Sequence, residues 1–248
     1  MLNISLVYAV LVKAGEGNDR IQRMEAPRRW LRRWWSDHLS TPLVRYMQRQ
    51  SDQLSNARIY YVTVDPQVVK HSTALPTNRL PAVGREAVYG PIGGPWDFLK
   101  LPFTSHSVYR EMATTFEGLH GSDADDIAKA ASATGTQGGG NEELVHRIAT
   151  VGYKPQRRLA AEGHLTKRRR IGPYAIPDEV ILAATRRGEL LQFRGGRHRL
   201  AAAQLAGIEE IPAILSVYHP NADYMTIGGI HDIEPLGTEA HQGVASRR

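Results

Sequence analysis

The sequence predicts an α/β protein of the α+β kind: a small mixed sheet in the C-terminal half, preceded by a mainly helical and loop-rich region. Three observations predict it. Between residues 141 and 220, short apolar and β-branched runs alternate with short helical patterns, the arrangement that builds a mixed sheet. Ahead of them, "TGTQGGGN" (134–141) breaks the chain with glycines, and the stretch from Pro76 to Pro102 is dense in Pro and Gly. The 248 residues are 42% hydrophobic, enough for one large core or two small ones. The expected division is an N-terminal region 1–140, a mixed-sheet domain 141–220 and a polar tail 221–248.

"MLNISLVYAVLV" at the start is apolar but too short to span a bilayer, and it lacks the basic flank of a secretion signal. A strand or helix start in a cytoplasmic protein is the expectation. If "RRWLRRWW" is helical, Trp30, Leu31, Trp34 and Trp35 share one face, with Arg28, Arg29, Arg32 and Arg33 on the other. Such a helix suits a membrane interface, and it equally suits docking on its own domain with the arginines in water.

"IYYVTVDP" (59–66) has strand composition and stops at proline. The Pro/Gly stretch after it reads as a long loop pinned by Trp96. "SHSVYREMATTFEG" (105–118) reads as a helix with Val108, Met112 and Phe116 in a stripe and Gly118 as its stop. In "SDADDIAKAASA", Ser122 can cap a short helix whose dipole suits Asp123, Asp125 and Asp126, which can alternatively bind a cation.

Beyond the glycine break, a helix is expected from about Glu142, then "KPQRRL" and a basic spur "TKRRRIGP". "DEVILAAT" and "ELLQF" pair as strands around "RRGE", and "IPAILSVY" returns as a third strand after an alanine-rich helix.

The stretch "FRGGRHRLAAAQLAGIEEIPAIL" (193–215) carries the chemistry. Gly195 and Gly196 permit a tight strand-to-helix turn and close approach. The helix then starts among Arg194, Arg197 and Arg199, so free amides and guanidinium groups face one place, an anion site in outline. A charge-assisted hydrogen bond to phosphate contributes about 1.5–3 kcal/mol against about 0.3–1 from the dipole, so correctly aimed arginines dominate. His198 is either a general acid or base, the tentative catalytic residue, or a structural hydrogen-bonding residue. The chain has no cysteine, which excludes thiolate zinc sites and thiol nucleophiles. Lys+Arg exceed Asp+Glu by 31 to 25 and the sequence pI is about 9.6, which favours phosphate-bearing partners.

"GGRHRLAAAQLAGIEEIPAIL" resembles the second box of the ParB/sulfiredoxin superfamily, in which a Gly-x-Arg-Arg or Gly-x-His-Arg start leads into an alanine-rich helix, a glycine and an "IPAIL"-like strand. "GYKPQRRL", about 40 residues earlier, is similar to the upstream Gln-Pro-Arg box of the ParB branch, with the order changed to Pro-Gln-Arg. The resemblance spans residues 145–218. It implies a ParB/sulfiredoxin-like fold for the mixed-sheet domain and a phosphate or nucleotide site made of Gly195, Gly196, Arg197, His198, Arg199, Gln156 and Arg157.

Where the sulfiredoxin branch keeps its catalytic cysteine, this chain has Arg197, which excludes that activity. About 30 polar residues follow Tyr218, so the helix-turn-helix of the partition proteins, and sequence-specific DNA partitioning with it, are not expected.

Three functions stand as alternatives. The first is a nucleotide- or phosphate-binding protein, with phosphate transfer or hydrolysis open and a nucleoside triphosphate with Mg as the implied ligand; Glu179 and Glu189 are the nearest carboxylates for the metal. The second is a sequence-nonspecific nucleic-acid-binding or nuclease-like protein using "TKRRR" and the other arginine clusters. The third is a non-catalytic module docked on a membrane or partner through residues 28–35. Nothing in the sequence sets the oligomeric state.

Overall fold

The computed structural model describes residues 41–54, 58–75, 88–120, 140–164, 168–171, 174–223 and 227–236. The Trp/Arg stretch 28–35, the opening apolar run and the Asp123–Asp126 segment lie outside them. Contacts divide the chain between Leu43 and Val44, and the sheet and its helices belong to the unit that begins at Val44.

The elements are α1 (Thr41–Asp52), β1 (Tyr60–Val64), β2 (His71–Thr73), β3 (Gly90–Pro91), β4 (Lys100–Pro102), α2 (Ser107–His120), α3 (Asn141–Val151), α4 (Gln156–Ala161), β5 (Arg168–Ile171), β6 (Tyr174–Pro177), β7 (Val180–Ala184), β8 (Leu190–Arg194), α5 (Arg197–Leu205), β9 (Ile211–Tyr218) and β10 (Ile230–Pro235). Eight strands form one mixed sheet in the order β10-β1-β9-β7-β8-β2-β4, with β3 added alongside β9; β5 and β6 form a separate hairpin. The protein is thus of mixed α/β class.

The centre of the sheet follows from side-chain alternation. In β7, Val180, Leu182 and Ala184 face a core shared with Met112 of α2, Val145 and Ile148 of α3 and Leu200 of α5. Ile181 turns to the other face, where it meets Ile214 of β9, Ile59, and Ile171 and Ile176 of the hairpin. Strands covered on both faces read as continuous apolar runs, which is why "VILAA" and "IPAIL" carry no polar alternation. Helix α5 brings three consecutive alanines, Ala201–Ala203, into the core, so it lies close to the sheet. Its far end is tied by Gln204, whose Nε2 donates to the carbonyls of Pro66 (2.7 Å) and Val69 (3.1 Å), while Gln67 Nε2 donates to the Gln204 carbonyl at 2.8 Å.

Several expectations are corrected. The boundary near residue 140 does not separate two structural units, because β1 pairs directly with β9 and β2 with β8. Among the described residues, the region before it supplies four short strands beside the helices α1 and α2. The 221–248 tail contributes β10, an edge strand on β1. Pro76–Pro102 is not one long loop: its described part forms β3, the turn Pro95–Phe98 and β4, with Trp96 fully buried and its Nε1 donating to Ile92 at 2.8 Å. Helix α2 runs through Gly118 to His120, and Val108, Met112 and Phe116 do line its packed side. The described arginines of the "TKRRR" spur, Arg168, Arg169 and Arg170, lie in β5, the first strand of the β5–β6 hairpin. Among the described residues no helix is long and apolar enough to cross a membrane.

Candidate functional site

The glycine turn forms as its residue types require. Gly195 has φ +30° and Gly196 φ +70°, and a Cβ on Gly196 would sit 2.6 Å from the Cα of Val180. A side chain is excluded twice, by the left-handed backbone and by the start of β7 beneath it. This contact holds the beginning of α5 against the beginning of β7, next to Asp178 and Glu179.

The arginines there do different things. Arg199 points inward: its side chain is 14% exposed, Nη2 lies 3.2 Å from Asp178 Oδ2, and Nη1 lies 3.7 Å from Glu179 Oε2. Nη1 is buried and makes no hydrogen bond among the described residues. Arg197 is partly buried, and its Nε donates to Gln192 Oε1 at 2.9 Å. Gln192 is fully buried and holds its own orientation by donating Nε2 to the carbonyls of Arg194 (2.5 Å) and Gly195 (3.1 Å). Arg197 therefore stands on a neutral amide, and it forms no ion pair among the described residues. Burial lowers its pKa, since a charged group loses hydration there.

His198 is exposed. His106, which accepts from the Val108 amide at 3.1 Å through Nδ1 and so closes the start of α2, faces Arg197 and His198. Burial, then the charges of Arg197, His198 and Arg110, hold its imidazole below the usual range. The starts of α2 and α5 thus bring Arg110 and Arg197 together with the imidazoles of His106 and His198.

Glu179 was not expected at the centre of the arrangement. It is fully buried and accepts from the Gln156 amide (2.5 Å), the Arg157 amide (3.3 Å) and the Tyr153 hydroxyl (3.0 Å). Burial pushes its carboxyl up, against the opposing effect of Arg199 and the hydrogen bonds. Burial and the nearby Glu179 likewise raise the phenols of Tyr61 and Tyr153. The Arg157 side chain turns away, to Glu234 at 3.0 Å and over the Tyr61 ring at 5.5 Å.

Of the residues named from sequence, Gly195, Gly196, Arg197 and His198 form the turn and helix start. Gln156, Arg157 and Arg199 are gathered around Glu179: the amides of Gln156 and Arg157 donate to it, Arg199 pairs with it and with Asp178, and the Arg157 guanidinium goes to Glu234. Glu179 and Glu189 do not share a metal site: the β7–β8 pairing places them at opposite ends of the hairpin, and Glu189 pairs with Lys100. The sequence signal for Glu179 was only an acid just before a buried strand. The chain matches no protein-family model, no curated protein and no solved structure.

Proposed function

We propose that this chain binds a phosphate-bearing anion, a nucleotide among the candidates, at the start of α5. The observation that carries the reading is Arg197, a half-buried guanidinium held on a neutral amide beside His106 and His198, with no carboxylate paired to it among the described residues. A partly desolvated guanidinium without a carboxylate beside it is costly until an anion joins it. The glycine turn leaves the first amides of α5 pointing the same way, which adds the helix dipole.

The likeness of "GGRHRLAAAQLAGIEEIPAIL" to the ParB/sulfiredoxin box supports the same ligand class. The mixed sheet with an alanine-rich helix between β8 and β9 is compatible with that family's domain. In this reading Arg197 binds the phosphate and His198, exposed next to it, is the candidate acid or base for phosphate transfer or hydrolysis.

The test is a thermal-shift titration of the full chain with phosphate compounds, alongside Arg197→Ala. Stabilisation of about 2.7 kcal/mol is expected at a ligand concentration about 100 times Kd, and its loss in Arg197→Ala. Failure of every phosphate compound to stabilise the protein at millimolar concentration removes the reading. Salt-sensitive binding of mixed-sequence DNA that survives Arg197→Ala would instead favour a nucleic-acid surface elsewhere on the chain.

A further inference from the structure

Two aromatic side chains stand exposed among the described residues, Tyr46 of α1 and Phe98, each to 43%. A run of contacts joins them. The Tyr46 ring lies against Gly94, where a Cβ would meet its Cε1 at 2.9 Å; the Gly94 carbonyl accepts from Arg186 Nη2 at 2.5 Å; and the Arg186 guanidinium lies 4.5 Å from the centre of the Phe98 ring. Gln50 fixes the Tyr46 side, donating Nε2 to the Tyr46 hydroxyl at 2.7 Å and accepting the Gly93 amide at 2.8 Å. The fold thus holds both rings in place while leaving them in water, so a partner has little ordering left to do.

The charge around them is positive. Arg45 and Arg49 are exposed on α1, Arg49 about one turn beyond Tyr46, and Arg187 is exposed next to Arg186. Among the described residues these three arginines form no ion pair, not even with Asp52, the one acid of α1. Arg186 differs, because Asp97 meets its charge and its part is to position Phe98.

We propose that this face binds a single-stranded nucleic acid: Tyr46 and Phe98 stack on unpaired bases, and Arg45, Arg49 and Arg187 meet the backbone phosphates. Cations alone would take any polyanion, and bare rings any apolar surface. A strand with unpaired bases offers flat faces and negative charge together. A duplex hides those faces inside its stack, and polyglutamate has none. The face lies toward the turn of the β7–β8 hairpin, whereas Arg197 lies at its open end, so the inference is independent of the phosphate reading.

Fluorescence anisotropy of the full chain tests this, with labelled oligothymidylate and oligouridylate of about 12 nucleotides, a DNA duplex of the same length and polyglutamate. At least one of the two single strands is expected to bind at least about tenfold more tightly than the duplex or polyglutamate; the preferred one tells DNA from RNA. Combining Arg45→Gln, Arg49→Gln and Arg187→Gln should flatten the slope of log affinity against log salt by about 2, the value for three phosphate contacts on a single strand. Phe98→Leu and Tyr46→Leu, which keep apolar bulk and remove the ring, should each weaken single-strand binding about tenfold and leave that slope unchanged, a split that general destabilisation does not produce.

No binding of either single strand at low salt overturns the inference. So does duplex or polyglutamate binding as tight as that of the strands, which would make the face a site for polyanions at large, and so does an unchanged salt slope in the triple variant. The three arginine positions are exposed, and the comparison of ligands on the unmodified chain decides the matter even where a ring variant does not fold.

Discussion

At the turn between β7 and β8, Arg186 donates Nε to Asp97 Oδ2 (2.8 Å), Nη2 to Asp97 Oδ1 (2.9 Å) and to the Gly94 carbonyl (2.5 Å), and its own amide to Asp97 Oδ2 (3.1 Å). Its guanidinium also lies 4.5 Å from the centre of the Phe98 ring. At the open end of the same hairpin, the Arg197 side chain makes one hydrogen bond among the described residues, to a neutral amide. Both arginines lie in basic clusters that look alike in sequence. The first is consumed by folding, because a buried bidentate carboxylate satisfies it. The second meets no carboxylate among the described residues, which is the condition for taking an anion from solution. An arginine cluster therefore reports on ligand binding only after its internal acids are known.

Four experiments sharpen or break that contrast. Asp97→Ala strands Arg186 and removes a carboxylate whose side chain is 1% exposed. It should cost about 3 kcal/mol in urea unfolding, the low end for a broken buried pair because Arg186 is partly solvated. An effect under about 1 kcal/mol would place Arg186 with ordinary surface arginines. Gly196→Ala should cost about 2–3 kcal/mol through the left-handed backbone and the contact with Val180. Arg197→Ala should cost no more than about 1 kcal/mol of stability, the net value of one hydrogen bond, while removing the phosphate-induced shift. A large loss of stability there would make Arg197 structural, like Arg186.

The smallest effect concerns pH. The Glu179 carboxyl titrates above its ordinary value in the folded protein, so its protonated form favours folding. That contribution is present at low pH and is lost as pH rises through the raised value. Urea midpoints between about pH 4 and about pH 7 should show the unmodified protein losing stability relative to Glu179→Gln as pH rises. A difference that grows in the other direction would mean that Arg199 and the two amides outweigh burial.

Much of the centre was legible. β7, β8, α5 and β9 appear where apolar runs, a double glycine and an alanine-rich segment put them, because these signals are local. β10 was hidden for a physical reason: the register of β1 against β10 shifts between Thr63 and Val64, so Ile230 and Ile233, three apart, become its partly buried residues, and period-two alternation is lost. β2, β3 and β4 are too short to show a period at all. At the site, the glycine turn was readable, but which arginine points inward was not, since Arg197 and Arg199 flank one residue and differ only in what lies beneath them.

The sequence by itself determined the strand-to-helix turn, the positive charge around it and the absence of thiol chemistry, because these follow from residue types and from backbone limits that act over a few residues. Tertiary structure decided that strands from both sides of residue 140 share one sheet, that Arg199 pairs with Asp178 and Glu179, and that Arg197 rests on a neutral amide with no carboxylate partner among the described residues. Coulomb forces and burial act between groups distant in sequence, so only the folded chain shows which charges have met their partners.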